Sequence, residues 1–190
     1  MRIRKEIQAV PRQACVTVVL VRHGESEANI ARCINDDPLK PVNLTDLGRQ
    51  QAESVDVGCV DFAYASEFPR AQQTASIILR KAGIPLHVDS RINERRSGMD
   101  GMPVHLFNEK MKLDPVHFKP MGGESFHEEM IRVGGFLDEM AIRHPGKRIL
   151  AVSHENPILA ALAAWGKDPM EAALGAVANC EAIEIIWPRS

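Results

Sequence analysis

Short apolar runs of strand character alternate with segments of helical periodicity, and this alternation restricts the possible folds of the chain more than any other feature. Alternating strands and helices predict an α/β sandwich of three layers, in which helices flank a mostly parallel central sheet. The last strand could lie in either direction. The predicted strands cover residues 15–21, 60–65, 86–88, 149–152 and 182–187.

The segments between these strands carry helix start and stop signals. A helix is predicted over 69–82, with Gly83 as its stop signal. Ser125 and Glu128 have the spacing of a capping box, so the apolar periodicity that follows predicts a helix that ends at His144. Two further helices are predicted over 46–55, capped by Thr45, and over 156–165, closed by Gly166.

The length and charge of the chain exclude several classes of protein. Its 190 residues suit one core, so we predict a single domain over 1–190 with a polar N-terminal tail at 1–13. A net charge of −2 leaves no basic excess for nucleic acid, and no apolar run approaches the ~18 residues that a transmembrane helix needs. The first residues lack the pattern of a secretory leader, so a cytoplasmic location is expected. Neither nucleic acid nor membrane is expected as a partner.

Metal and cofactor chemistry finds no matching pattern in the sequence. The four cysteines are scattered, without the spacing that holds zinc. Glu25 and Glu27 lie close together but lack a matched set of ligands, and no Gly-x-Ser-x-Gly turn of a serine hydrolase is present. We therefore expect neither a metal nor a cofactor.

Two histidines stand just after predicted strands. His23 comes two residues after the first strand, and His154 two residues after the fourth. Because ligands of parallel α/β sheets bind beyond the carboxyl ends of the strands, both imidazoles are expected on one rim of the sheet. Arg70 falls in the first turn of the helix after the second strand, so its guanidinium can face the same rim.

This combination of side chains suits an anion. Arg22 and Arg70 offer planar donor groups that match phosphate oxygens, and nearby helix N-termini add backbone N–H donors. Gly24, next to His23, would let the backbone approach a ligand without a Cβ in the way. The rim is therefore predicted to bind a small anionic phosphorylated substrate.

Several segments match a known pattern in order and spacing. Residues 22–29 read Arg-His-Gly-Glu-Ser-Glu-Ala-Asn, and the further matching segments are 44–52, 66–74, Glu94, 122–126 and 152–154. Together they resemble the histidine phosphatase superfamily, which includes the phosphoglycerate mutases, over nearly the whole chain after residue 15. The resemblance implies a phosphoglycerate mutase-like fold and, within the superfamily, the small phosphatase branch.

The resemblance also implies a role for each matching residue. His23 would attack phosphorus and form a phosphohistidine, while Glu94 would protonate the departing oxygen and then assist water. The family needs no metal for this chemistry. The phosphoryl group would be surrounded by Arg22, Arg70 and His154, with Asn29 and Ser66 as substrate-binding residues.

Glu155 departs from the family pattern, since many members have glycine after the second histidine. A carboxylate at this position could repel phosphate, raise the pKa of His154 or bind a cationic group of the substrate. The alternative is a solvated helix start with no functional role.

Residues 95–122 cannot be assigned to the scaffold, and we expect them to form an insertion that caps the substrate. Its methionines and aromatic residues suit an adaptable apolar wall, and its cations suit an anionic substrate. The alternative is an ordinary helix with one apolar face and one solvated basic face.

The predicted function is a phosphatase that hydrolyses a small phosphomonoester through a phosphohistidine. The nearest alternative is phosphoglycerate mutase-type transfer, although the compact chain favours a phosphatase because the mutases generally carry longer insertions. A protein phosphohistidine phosphatase and a non-catalytic phosphate-binding module are the remaining alternatives.

Overall fold

A computed structural model describes residues 4–5 and 15–188, and within them one sheet contains six strands. In chain order the strands are β1 (Arg4–Lys5), β2 (Cys15–Arg22), β3 (Phe62–Ala65), β4 (Leu86–Val88), β5 (Arg148–Ser153) and β6 (Ala182–Pro188). Across the sheet their order is β1, β6, β2, β5, β3, β4. Strands β2, β5, β3 and β4 are parallel neighbours, whereas β6 is antiparallel to β2. The predicted α/β sandwich with a mostly parallel sheet is confirmed, and the direction of the last strand is now known.

Alternate side chains of the central strands enter two separate cores, because successive residues of a strand point to opposite faces of the sheet. On β2, Val18 and Leu20 pack into one core, while Val19 and Val21 pack into the other. Strand β5 divides its side chains in the same way. Both faces of the sheet are therefore buried, which explains why these strands read as continuous apolar runs in the sequence.

Seven α-helices accompany the sheet in the described part of the chain. They are α1 (Glu27–Ala31), α2 (Asp46–Glu53), α3 (Pro69–Ile78), α4 (Val104–Met111), α5 (Phe126–Arg143), α6 (Glu155–Trp165) and α7 (Pro169–Ala173). Helices α5 and α6 cover one face of the sheet, and α3 covers the other with α2 beside it. This arrangement leaves the carboxyl ends of β2, β3 and β5 between the two helical layers.

The predicted capping signals of two helices are confirmed. Ser125 Oγ accepts a hydrogen bond from the backbone N–H of Glu128 at 3.1 Å, and Glu128 Oε2 accepts one from the backbone N–H of Ser125 at 2.9 Å. At the start of α2, Thr45 Oγ1 accepts from the backbone N–H of Gly48 at 3.0 Å. Each cap satisfies N–H groups that have no partner within the helix.

Helix α3 is shorter than predicted. It ends at Ile78 rather than at residue 82, and the chain leaves it through a tight turn in which the Ala82 N–H donates to the Leu79 carbonyl at 2.8 Å. Ala82, the last residue of the predicted helix, is exposed. The chain turns here because β4 must lie beside β3. Since Ala82 is exposed, no buried contact stabilises a longer helix.

Part of the predicted polar tail joins the sheet. Arg4 and Lys5 form β1, which pairs in parallel with Ile183 and Glu184 of β6. The remainder of the tail, residues 1–3 and 6–13, lies outside the described residues. In the ranges 4–5 and 15–188, no helix combines the length and the apolar character needed to cross a membrane.

Candidate active site

Both predicted histidines lie at the same edge of the sheet. Arg22 is the last residue of β2 and is paired in register with Ser153, the last residue of β5. His23 and His154 follow these two strand ends, and their ring centroids are 5.1 Å apart. The adjacency of β2 and β5 therefore brings together two imidazoles that are distant in the sequence.

His23 is buried, and its hydrogen bonds define its tautomer. Its Nδ1 lies 2.7 Å from the carbonyl oxygen of Gly24. A carbonyl can only accept, so Nδ1 carries the proton and Nε2 of the neutral ring keeps a lone pair. Burial, together with the positive charge of Arg70, lowers the pKa of His23 well below its ordinary value of 6.5. The ring is therefore neutral at physiological pH.

His154 is fully buried behind Arg70. Its Nε2 lies 2.8 Å from Ser66 Oγ, and its Nδ1 lies 3.2 Å from an Nη2 donor of Arg70. Burial and the charge of Arg70 lower the pKa of His154 well below 6.5. The pKa of His154 is thus lowered rather than raised, because desolvation and the charge of Arg70 outweigh any effect of Glu155.

Arg70 lies in the first turn of α3, as predicted, and is almost fully buried. Its Nε donates to His23 Nε2 at 3.1 Å, and its two terminal nitrogens donate to the side-chain and backbone oxygens of Asn35, the latter at 3.1 Å. Burial lowers the pKa of Arg70 to about 10, so the guanidinium remains charged near neutral pH. Arg70 thus contacts both imidazoles and presents a buried positive charge.

Arg22 is held by Glu155 and by the segment before β6. Its Nη1 lies 3.4 Å from Glu155 Oε1 and donates to the carbonyl of Val177. Glu155 Oε1 also accepts from the Val177 N–H at 3.0 Å. The Nε of Arg22 is buried and has no hydrogen-bond partner among the described residues, which suits a donor whose acceptor is an anionic ligand. Glu155 therefore pairs with Arg22 within the protein. It also lines the cavity described below.

Glu94 lies close to His154. Its Oε1 accepts hydrogen bonds from the backbone N–H of Arg95 at 2.9 Å and from Asn156 Nδ2 at 3.2 Å, while its Oε2 lies 3.9 Å from His154 Nδ1. Burial raises the pKa of Glu94 above 4.5, despite the opposing hydrogen bonds and the charge of Arg70. A carboxyl group with a raised pKa is suited to hold a proton and donate it.

Behind Glu94 lies a buried cluster of charged side chains. Arg132 donates to both oxygens of Glu124, at 2.5 and 3.1 Å, and to the carbonyls of Arg91 and Asn93, at 2.7 and 3.1 Å. The two carbonyls belong to the short segment that leads directly to Glu94. Helix α5, which carries Arg132, is thereby attached to the backbone of the candidate acid.

Arg95 attaches the segment of Glu94 to residues 104–124. Its Nε donates to the Glu124 carbonyl at 3.2 Å, its Nη2 to the Phe118 carbonyl at 3.0 Å, and its Nη1 to Met111 Sδ at 3.4 Å. Its guanidinium also lies over the ring of Phe107 at 5.2 Å. The residue next to Glu94 is therefore a junction between the candidate acid and the insertion.

One large cavity opens at this edge of the sheet, with a volume of about 710 Å³. His23, Arg22, Arg70 and Glu94 contribute to its wall. Six residues of α4 and its C-terminal cap also line it, so the insertion at 95–122 contributes to the cavity wall. They are Val104, His105, Phe107, Asn108, Met111 and Lys112.

Asn29 and Ser66, both predicted to bind substrate, lie at different places relative to the cavity. Asn29 lines the cavity, and its Oδ1 accepts from the Ser26 N–H and Oγ, both at 3.0 Å, so its amide nitrogen remains available as a donor. Ser66 is fully buried and does not line the cavity, and its hydroxyl contacts His154. The structure thus places Ser66 behind the histidine, where it orients the ring, rather than in the substrate-binding position that we predicted.

Gly24 allows a close backbone approach within the protein itself. A Cβ at Gly24 would lie 2.3 Å from the carbonyl oxygen of Gly48, so the close approach is between the loop after β2 and the start of α2. The glycine lets two backbone segments touch and thereby positions His23.

Sequence reasoning missed three asparagines at the site. Asn35 holds Arg70, Asn156 holds Glu94, and Asn179 donates from Nδ2 to the His23 carbonyl at 2.9 Å. Only Asn156 had a local signal, because it lies in the predicted helix start after His154. Asn35 and Asn179 lie in loops whose partners are distant in the sequence.

The described residues contain no group of three or more His, Cys, Asp or Glu side chains placed to hold a metal ion. Most polar side chains of the cavity wall carry guanidinium, imidazole or amide groups, which can donate hydrogen bonds to an anionic ligand.

Comparison with known sequences identifies a family. The profile described as histidine phosphatase superfamily (branch 1) matches residues 18–189. This match begins within β2, continues through β6 and includes every residue of the site described above.

Some relatives are named for phosphoglycerate mutases and others for phosphatases. "Phosphoglycerate mutase-like protein 4" of Arabidopsis thaliana is 33% identical over 159 residues, which cover 74% of this chain and 67% of the relative. "Phosphoserine phosphatase 1" of Hydrogenobacter thermophilus is 32% identical over 158 residues, which cover 76% of this chain and 74% of the relative. The solved alpha-ribazole phosphatase from Shigella flexneri superposes with a TM-score of 0.74 at 27% identity, over 86% of each chain.

Proposed function

The chain belongs to the histidine phosphatase superfamily, and from this premise we propose that it hydrolyses a small phosphomonoester through a phosphohistidine formed on His23. The single observation that carries the proposal is the convergence of a neutral imidazole, whose unprotonated Nε2 accepts a hydrogen bond from Arg70, with Arg70 and Arg22 at one cavity. A nucleophile and fixed positive donors are the two requirements of metal-free phosphoryl transfer.

In the first step, His23 Nε2 attacks phosphorus, the N–P bond forms and the bond from phosphorus to the ester oxygen breaks. Arg70 releases its hydrogen bond to Nε2 and donates to the phosphoryl oxygens instead. The buried Nε of Arg22 gains the acceptor that it lacks. Charge on the equatorial oxygens is thus met by donors that are already in place.

Glu94 supplies the proton that the departing oxygen needs. Its Oε1 is occupied by two hydrogen bonds, which leaves Oε2 to carry the proton of the neutral acid. After the alcohol leaves, the carboxylate takes a proton from water as that water attacks phosphorus and breaks the N–P bond. Inorganic phosphate leaves, and His23 and Glu94 return to their starting states.

The names of the relatives support phosphate-ester chemistry. They leave two acceptors of the phosphoryl group to distinguish. Water is the acceptor in a phosphatase, as the name of the Hydrogenobacter relative indicates for that protein. A second metabolite is the acceptor in a mutase, and the Arabidopsis relative is named for its likeness to such enzymes. The insertion over the cavity contains one eight-residue helix, and this modest cap favours the phosphatase.

The test measures phosphate release from p-nitrophenyl phosphate and from glycerol 3-phosphate by the wild type, His23→Ala and Glu94→Gln. We expect His23→Ala to abolish both activities. Glu94→Gln should lower kcat on the glycerol ester by about 10²–10⁴-fold, and on the nitrophenyl ester far less, because nitrophenolate leaves without a proton.

His117→Ala is the matched control, since His117 is exposed and lies outside the cavity wall. Activity that survives in His23→Ala would rule out the phosphohistidine. Transfer of phosphate to added glycerate in preference to water would identify a mutase.

A further inference from the structure

The cavity is larger than a phosphoryl group requires. Its volume of about 710 Å³ is typical of sites for whole small molecules. The residues of the proposed chemistry form only part of its wall. Further wall comes from Arg32, Cys33 and Ile34 after α1, from α4, and from Leu174 and Gly175 after α7.

Arg32 adopts a backbone conformation that costs an arginine stability. It follows α1 with φ 52° and ψ 36°, in the left-handed region where glycine is favoured. Its N–H donates to the Asn29 carbonyl at 3.2 Å, and its carbonyl accepts from the Val104 N–H at 3.0 Å. Both bonds use backbone atoms, so a glycine would keep them and remove the strain. Glycine would therefore suit this backbone better, and the arginine side chain is the feature that calls for a role.

The segment of Arg32 is fixed against the start of α4. Ile34 donates to the Met102 carbonyl at 2.9 Å and accepts from the Gly101 N–H at 2.8 Å. Together with the bond from Val104 to Arg32, these contacts form a short ladder between the two wall segments. The strained residue therefore lies on a rigid part of the cavity wall rather than on a free loop.

The charges of the wall are unbalanced. Its carboxylates are Glu94 and Glu155, and Glu155 is already paired with Arg22. The side chains of Arg32 and Lys112 have no hydrogen bond or ion pair within residues 4–5 and 15–188. After a phosphoryl group has engaged the donors around His23, this part of the wall still attracts negative charge.

We propose that the substrate carries a second anionic group, apart from the phosphoryl group that is transferred, and that Arg32 binds this group. The proposal rests on the phosphatase function proposed above and specifies its substrate class. The second anion is a carboxylate or a second phosphate, both of which match the planar donor face of a guanidinium. Lys112 adds to the positive potential that attracts it.

Three esters that differ at one carbon test the proposal: glycerol 3-phosphate has no second anion, 3-phosphoglycerate has a carboxylate, and glycerol 1,3-bisphosphate has a second phosphate. We expect wild-type kcat/KM to be at least tenfold higher on one or both of the last two than on the first. The ester that shows the preference identifies the second anion.

Arg32→Gly separates binding from folding, because glycine suits the left-handed backbone. The variant should unfold at the same temperature as the wild type or higher, while the preference for the ester with the second anion falls about tenfold, as expected for one lost charge-assisted hydrogen bond. Arg32→Asn, which also tolerates this backbone, should behave in the same way, and Arg32→Lys should restore part of the preference.

The outcomes are distinct. A wild type without preference, or a preference that Arg32→Gly leaves unchanged, overturns the inference and leaves the phosphatase function intact. Absence of phosphate release from all three esters and from p-nitrophenyl phosphate overturns the proposed function, and the inference with it.

Discussion

At the scale of single residues, the proposed chemistry depends on the protonation of individual side chains. His23 is neutral because it is buried beside Arg70, and its proton lies on Nδ1 because a carbonyl oxygen faces that atom. The strand before His23 was sufficient to predict that this histidine stands at the rim. The tautomer was not predictable, because it depends on a hydrogen-bond direction that only the folded backbone defines.

Glu129 gives a prediction at the same scale. It is fully buried in α5, and although Arg132 Nη2 lies 3.5 Å from Oε1, neither carboxyl oxygen has a hydrogen bond among the described residues. Burial raises the pKa of Glu129 well above 4.5, so above that pH the folded state holds a proton that the unfolded chain releases. The contribution of Glu129 to stability is therefore present at low pH and is lost as the pH rises through the folded-state pKa.

We expect the unfolding free energy of Glu129→Gln, relative to the wild type, to increase by about 1.4 kcal/mol per pH unit above pH 4.5, until the folded-state pKa is passed. Urea unfolding at pH 5, 6, 7 and 8 measures this slope. Glu128→Gln is the control, because Lys119 and the Ser125 N–H lower the pKa of Glu128, so its difference from the wild type should not change between pH 5 and pH 8. A difference independent of pH would contradict the prediction for Glu129.

At the scale of secondary-structure elements, hydrogen bonds between α5 and the segment before Glu94 position this candidate acid. Arg132 of α5 donates to the carbonyls of Arg91 and Asn93, just before Glu94, and the cap of α5 was recognisable from Ser125 and Glu128. The attachment itself was not predictable. It requires a helix face and a distant loop to meet, and helical periodicity specifies the face but not the loop that it meets.

Arg132→Lys tests this attachment, because one ammonium group cannot replace four donor contacts. Arg132 is a positioning residue, so we expect kcat on glycerol 3-phosphate to fall by about 10–100-fold while kcat on p-nitrophenyl phosphate falls much less. Arg91→Lys is the control, since the Arg91 side chain pairs with Asp89 and Glu139. Equal losses on the two esters would indicate a merely structural role.

At the scale of the molecule, the site depends on the order of strands in the sheet. Arg22 and His23 follow β2, His154 follows β5, and Arg70 enters from the helix after β3, so ligand contacts join segments from most of the chain. A ligand that engages all of them binds only the folded state. Its binding free energy is then added to the stability of the whole molecule.

Inorganic phosphate should therefore raise the melting temperature of the protein. At 100 times its dissociation constant the expected stabilisation is about 2.7 kcal/mol, and each kcal/mol shifts Tm by about 2–4 °C in a protein of this size. Differential scanning fluorimetry in phosphate, with chloride at equal ionic strength as the reference, measures the shift.

Arg70→Met should abolish most of this shift, because Arg70 is the buried cation of the site. Dialysis against a chelator should leave both the phosphate shift and the phosphatase activity unchanged. A loss of either after chelation would contradict metal-independent chemistry.

The sequence by itself determined the α/β class, the strand ends that carry His23 and His154, and the capped start of α5, because apolar periodicity, strand-end position and capping are local properties of the chain. It also carried the resemblance to the superfamily, which the profile match confirmed. Only the tertiary structure decided the shorter α3, the place of Ser66 behind His154, the pairing of Glu155 with Arg22 and the strained Arg32 in the cavity wall. Each of these results depends on contacts between segments that are distant in the sequence. Such contacts form only when the sheet brings those segments together, so local sequence patterns do not predict them.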